Sequence, residues 1–158
     1  MINLAFRNFH NMSNLIEQEK KISAGKNQAD AEIIIVDDDQ GFSFMLKDYL
    51  LASGELKSEL YKNGNEFLKN YRKDDARKII LDYEFQEGPN GLVVLQQIKK
   101  LNPLAAVIIV SGQDDLEKAI ETLRNGASDY FLKTNKTVFA NILCSLMKIS
   151  EMEKNKLN

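Results

Sequence analysis

Three consecutive carboxylates, Asp37, Asp38 and Asp39, follow directly on the apolar run Ile33-Ile34-Ile35-Val36. Like charges held side by side repel and raise one another's pKa unless a cation or a proton intervenes, so the triplet reads as a place for positive charge. The plainer alternative is a solvated turn in which an Asp caps the next helix. Three further apolar runs weigh on the choice. Arg77-Lys78-Ile79-Ile80-Leu81 ends in Asp82, Ala106-Val107-Ile108-Ile109-Val110 ends in Ser111, and Ala127-Ser128-Asp129-Tyr130-Phe131-Leu132 ends in Lys133. In an open parallel sheet ligands bind at the carboxyl ends of the strands, where these acids, hydroxyl and lysine converge.

Strand-like and helix-like patterns alternate from about residue 31, which argues an α/β fold with a parallel sheet. Strands are expected near 32–37, 56–61, 77–82, 106–111 and 128–132. Phe42, Met45, Leu46, Tyr49 and Leu50 recur at the spacing of one helical face, in a helix ending near Gly54. Asn63 can cap a second helix carrying Phe67, Leu68 and Tyr71; Asn90-Gly91 opens a third with Leu92, Leu95 and Ile98, stopped by Asn102-Pro103. A fourth carries Leu116, Ala119, Ile120 and Leu123. The last starts near Thr137 and carries Val138, Phe139, Ile142, Leu143, Leu146, Met147 and Ile149, a face wider than one docking stripe requires, with Cys144 read as a small packing residue. Five such units suggest a doubly wound five-stranded parallel sheet in flavodoxin-like order 2-1-3-4-5, with helices on both faces. Residues 31–150 form that domain, after an extension of residues 1–30 and before a tail of residues 151–158.

The 158 residues fit one domain, and 44% apolar content suffices for a core. A net charge of −2 and the lack of a basic run argue against direct nucleic-acid binding. No apolar stretch reaches the roughly 20 residues that span a bilayer, and the amino terminus lacks the pattern of a signal peptide, so a cytoplasmic protein is expected. One cysteine and one histidine exclude a thiolate or imidazole metal cage within the chain. A metal here is expected to be hard and oxygen-bound.

Asp37-Asp38, Asp82, Ser111-Gly112 and Gly126-Ala127-Ser128-Asp129-Tyr130-Phe131-Leu132-Lys133, in this order and at these separations, make residues 31–150 resemble the receiver domain of two-component response regulators. The resemblance implies a stand-alone receiver in a phosphorelay, phosphorylated on Asp82 with Mg²⁺ as cofactor. Asp38, Asp82 and the backbone carbonyl of Glu84 would bind the ion, with Asp37 acting through a coordinated water. Lys133 would pair with Asp82 and then with a phosphoryl oxygen; Ser111 and the Gly112 N–H would donate to the others. Tyr130 would be the switch aromatic coupled to Ser111. Partners would be a sensor histidine kinase or histidine phosphotransfer protein and a downstream protein target, with a homodimer left open. Any enzyme activity would be limited to autophosphorylation from a phosphodonor and autodephosphorylation.

The match departs from the family in two places. Lys133-Thr134 replaces the usual lysine-proline pair, for which a trans bond is expected, since a cis bond without proline costs roughly 2.5–4 kcal/mol. The loop after Asp82 has Gln86 where proline is common, and Glu84 adds a nearby carboxylate that could repel phosphate or, like Gln113, position water. Asp39, one past the family's acid pair, reads as a helix cap or solvated charge, and Asp129 as a turn former. Two other readings compete: a phosphorylation-independent interaction module, and a haloacid-dehalogenase-like phosphatase, for which Gln40-Gly41-Phe42 is a poor continuation. In the extension, Ile2, Phe6, Phe9, Met12 and Ile16 fall near helical spacing, so residues 2–22 read either as an amphipathic helix or as a disordered tail.

Overall fold

The computed structural model describes residues 31–156. The helix or tail read over residues 2–22 lies outside them. Among the described residues, strands and helices alternate as β1 (Ile33–Val36), α1 (Gln40–Gly54), β2 (Ser58–Tyr61), α2 (Gly64–Asn70), β3 (Lys78–Asp82), α3 (Gly91–Leu101), β4 (Val107–Ser111), α4 (Leu116–Arg124), β5 (Asp129–Leu132) and α5 (Val138–Lys156). The strands form one sheet in the order β2-β1-β3-β4-β5 with all pairings parallel. The fold is therefore the doubly wound arrangement expected from the sequence.

β1, β3 and β4 are buried on both faces, which is why their sequences are continuous aliphatic runs rather than alternating ones. Leu46 and Leu50 of α1 and Val138, Ile142 and Leu146 of α5 pack on one face with Ile33, Ile35, Ile80, Ile108 and Val110. Phe67, Val94, Leu95 and Ile98 of α2 and α3 cover the other with Ile34, Val36, Ile79, Leu81, Val107 and Ile109. Register pairs Val36 with Leu81, Asp82 with Val110 and Ser111 with Leu132, so the polar residue ending each strand emerges at a common edge.

Several helix readings need correction. On α4, Leu116 is 73% exposed, and Ile120 and Leu123 are exposed as well; the buried residue is Thr122, whose hydroxyl is satisfied by the Lys118 and Ala119 carbonyls. Met45 of α1 faces solvent. The width of the α5 face is largely explained by the core, since Phe139, Leu143 and Ile149 also pack against it and Met147 alone of the expected set is exposed. Cys144 is exposed rather than packed; its neighbour Ser145 takes the buried place and donates to Asp129 Oδ2 at 2.8 Å. Asp129 is thus a strand residue tied to α5 rather than a turn former. The helix continues through Lys156, into the segment set apart as a tail, where Glu153 pairs with Lys78 at 3.1 Å. Lys133-Thr134 is trans.

Gly91 fixes how closely α3 approaches the sheet. A Cβ at this position would lie 2.3 Å from the Asp82 carbonyl oxygen and 2.7 Å from Tyr83 Cα, while the Gly91 N–H donates to the Tyr83 carbonyl at 2.8 Å. Gly91→Ala should lower stability by about 1–3 kcal/mol, because the obstruction is backbone that cannot rotate aside. A urea midpoint equal to wild type would show that β3 and α3 separate without cost.

Candidate functional site

Asp37 and Asp38 leave the end of β1 in different settings: Asp37 is buried and Asp38 half-buried. Asp39 accepts from the Phe42 N–H at 3.1 Å and caps α1, so the triplet divides into two site carboxylates and one helix cap. The turn is held from within by the Asp39 N–H, which donates to Asp37 Oδ1 at 2.9 Å. Asp82 is buried at the end of β3. Its Oδ1 receives the Glu84 N–H at 3.3 Å, while the Gln86 N–H donates to Asp38 Oδ2 at 2.7 Å, so the loop after β3 is clasped to both acids.

Lys133, at the end of β5, reaches across β4 to these acids. Its ammonium donates to Asp82 Oδ2 at 2.9 Å and to Asp37 Oδ1 at 3.0 Å. Asp37 Oδ2 lies 2.8 Å from the same nitrogen and meets no donor besides that ammonium. Phe42, expected from the sequence only on the apolar face of α1, places its ring 5.0 Å from the Lys133 ammonium and meets Phe139 edge-on at 5.3 Å. Its position one turn after Asp38 was the available signal.

One ammonium cannot neutralise two buried carboxylates. Burial and then the charge of Asp37 push the Asp82 carboxyl up to about 7, against the pull of Lys133. Asp37 is also raised, burial outweighing its bonds to Lys133 and the Asp39 N–H. Burial alone would lower Lys133, but Asp37 and Asp82 more than offset it and hold the amine protonated. Asp37, Asp38 and Asp82 each offer a carboxylate oxygen, all within 4.8 Å of one another. This hard-donor set, carrying more negative charge than Lys133 offsets, fits an oxygen-loving divalent cation.

Ser111 is fully buried, and its hydroxyl engages its own loop: Oγ accepts from the Gln113 N–H at 3.1 Å and donates to the Gln113 carbonyl at 3.2 Å. The Tyr130 hydroxyl donates to the same carbonyl at 3.4 Å, with its ring packed against the α2 and α3 side of the core. Beside Gly112 the space is open, and a Cβ there would meet nothing within 4 Å. Glu84 does not stand as a lone fourth acid: Lys118 of α4 donates to its Oε1 at 2.8 Å. Nothing local in the sequence marks Lys118, which meets Glu84 across 34 positions of chain.

A family model described as the response regulator receiver domain matches residues 33–141. The DNA-binding transcriptional regulator NtrC of Salmonella typhimurium is 33% identical over 99 residues, covering 63% of this chain and 21% of that protein. The chain spans 21% to 27% of the length of such curated relatives. Among solved structures, a CheY-like receiver domain protein from Methanospirillum hungatei JF-1 is 26% identical with a TM-score of 0.68, covering 79% of this chain and 98% of that one. A receiver domain protein from Clostridium thermocellum is 25% identical with a TM-score of 0.69, covering 78% and 97%.

The elevated Asp82 carboxyl carries a signed consequence. Well below pH 3.8 the group is neutral folded or unfolded. Between its ordinary value of 3.8 and about 7, the unfolded chain has lost a proton that the folded protein keeps, so stability falls as pH rises. Asp82→Asn removes this cost. The variant should gain roughly 1–3 kcal/mol over wild type at pH 7.5 in the absence of metal, and the gain should shrink towards pH 4. A pH-independent difference in melting temperature would place the repulsion elsewhere.

Proposed function

The chain belongs to the response regulator receiver domain family, and on that premise we propose that it accepts a phosphoryl group on Asp82 and signals by protein contact. The observation that carries the proposal is the buried Asp82 carboxylate held 2.9 Å from Lys133, beside Asp37 and Asp38 at the carboxyl edge of the sheet. A pair buried for stability alone makes a poor explanation, since ion pairs repay their desolvation badly and this one leaves an excess carboxylate.

In the proposed reaction an Asp82 carboxylate oxygen attacks phosphorus as the bond from phosphorus to the donor's leaving atom breaks. The leaving group departs with that electron pair, and an acyl phosphate forms on Asp82. Lys133 exchanges its bond to Asp82 for one to a phosphoryl oxygen. Ser111 turns from the Gln113 carbonyl to donate to a second oxygen, and the Gly112 N–H supplies a further donor. Asp38, Asp82 and the Glu84 carbonyl are the proposed Mg²⁺ ligands, with Asp37 acting through a bound water. When bound, Mg²⁺ supplies neutralisation of the phosphoryl charge.

The proposed donor is a sensor histidine kinase or histidine phosphotransfer protein, with the protein placed in the cytoplasm. No helix among the described residues is long and apolar enough to cross a membrane. The exposed Leu116, Ile120 and Leu123 of α4 make an apolar surface suited to a protein target or a second copy of the chain. Tyr130 is the proposed switch, because its hydroxyl shares the Gln113 carbonyl with Ser111.

Incubation with Mg²⁺ and acetyl phosphate should add one labile phosphoryl group by intact mass, and Asp82→Asn should add none. A wild type that stays unmodified favours the phosphorylation-independent interaction module. An adduct formed at undiminished rate on the Asn variant removes Asp82 from its role.

Mg²⁺ alone should raise the melting temperature of the wild type by mass action. Asp38→Ala should abolish most of that response. Asp39→Ala should instead cost about 1 kcal/mol of stability through lost capping, lowering the starting melting temperature, and keep the response. Equal loss of response in both variants would mean that the acid pair has been wrongly chosen.

A further inference from the structure

Lys118 is held in place by its helix and spends its charge at the rim of the site. Asp115 Oδ1 accepts the Lys118 N–H at 3.2 Å and the Thr122 hydroxyl donates to the Lys118 carbonyl at 3.0 Å, anchoring the backbone. The ammonium donates to Glu84 Oε1 at 2.8 Å and to Gln113 Oε1 at 3.2 Å, lies 3.8 Å from Asp115 Oδ2, and stands 5.1 Å from the centre of the Tyr83 ring. Tyr83 and Glu84 directly follow Asp82, and Gln113 lies two residues beyond Ser111. One side chain thus ties together the two loops that directly follow the proposed nucleophile and the proposed hydroxyl donor.

Stability does not account for this arrangement. Partly exposed ion pairs contribute little to folding. Charge does account for it. Asp37, Asp38 and Asp82 already outnumber Lys133, and the Glu84 N–H bonded to Asp82 Oδ1 keeps the Glu84 side chain on the same loop. Phosphodonors are anions, and an uncompensated carboxylate at the entrance opposes their approach over about one Debye length, roughly 8–10 Å at moderate salt.

We propose that Lys118 is a positioning residue that neutralises Glu84 and holds it and Gln113 at the rim, so that anionic phosphodonors gain access to Asp82. The inference rests on the reading of Asp82 as the phosphoryl acceptor.

The experiment measures the rate of adduct formation from acetyl phosphate at fixed Mg²⁺, at low and at high salt. Lys118→Met should slow the reaction about three- to tenfold at about 20 mM salt, and the deficit should shrink below about twofold near 0.5 M. Lys118→Arg, which keeps the charge, should retain the wild-type rate. Glu84→Gln in the Lys118→Met background should recover most of the low-salt deficit, since the carboxylate nearest the lost ammonium is gone while the Glu84 carbonyl is unaltered and only the more distant Asp115 stays uncompensated. Urea midpoints should change little across the set, and Lys118→Gln replaces the Met variant if that protein fails to fold. A Lys118→Met rate equal to wild type at low salt, a deficit that persists at high salt, or a double variant as slow as the single one overturns the proposal. Wild type that forms no adduct overturns the reading of Asp82, and this inference with it.

Discussion

Two buried carboxylates face a single ammonium where Lys133 meets Asp37 and Asp82, and the surrounding structure holds that imbalance in place. β1 and β3, which carry the acids, are flanked by strands on both sides and covered by helices on both faces, so neither can swing outward to hydrate its carboxylate. Gly91 lets α3 close against the Asp82 backbone, and Gln86 and Glu84 return the following loop to the acids through backbone N–H donors. The residual negative charge can be relieved by a proton, which the raised Asp82 and Asp37 carboxyls reflect, or by a cation. Keeping two ionised carboxylates buried beside one ammonium costs stability, and any further positive group that joins them lowers that cost.

Most of this geometry was legible in the sequence because parallel strands buried on both faces write themselves as unbroken aliphatic runs, and each run here ends abruptly in a polar residue. Asn63 and Asn90 also announced helix starts through side chains that accept N–H bonds in the first turn. Apolar spacing did not say what a face meets. On α4 the stripe of Leu116, Ile120 and Leu123 looks like a core face, yet Thr122 goes inside because its hydroxyl bonds back to its own helix. Cys144 and Ser145 differ by one position, and the choice between them turns on Asp129, a partner 16 residues from Ser145. Lys118 against Glu84 is likewise a product of chain closure with no local pattern, and for Phe42 against Lys133 the one local hint is its place one turn after Asp38.

The Gln113 peptide joins the site to the outer surface. Its carbonyl accepts from the Ser111 hydroxyl at 3.2 Å and from the Tyr130 hydroxyl at 3.4 Å, and its side chain accepts from Lys118 on α4. These are long, neutral or exposed bonds, individually worth little. Hydrogen bonds from Ser111 to a phosphoryl oxygen are charge-assisted and about twice as strong as neutral ones. On the proposed function, phosphorylation therefore competes for Ser111 against a weak incumbent, and the Gln113 carbonyl loses one of its two hydroxyl donors when Ser111 turns. Tyr130 and the start of α4 then feel the change through a single peptide group. A ligand shifts an equilibrium only by its differential affinity for the two states, so the weakness of the resting bonds keeps the opposing term small. The strong interactions are reserved for the acids and Lys133, and the weak ones lie along the path to the exposed leucines and isoleucine of α4, so the signal can travel without unfolding what generates it.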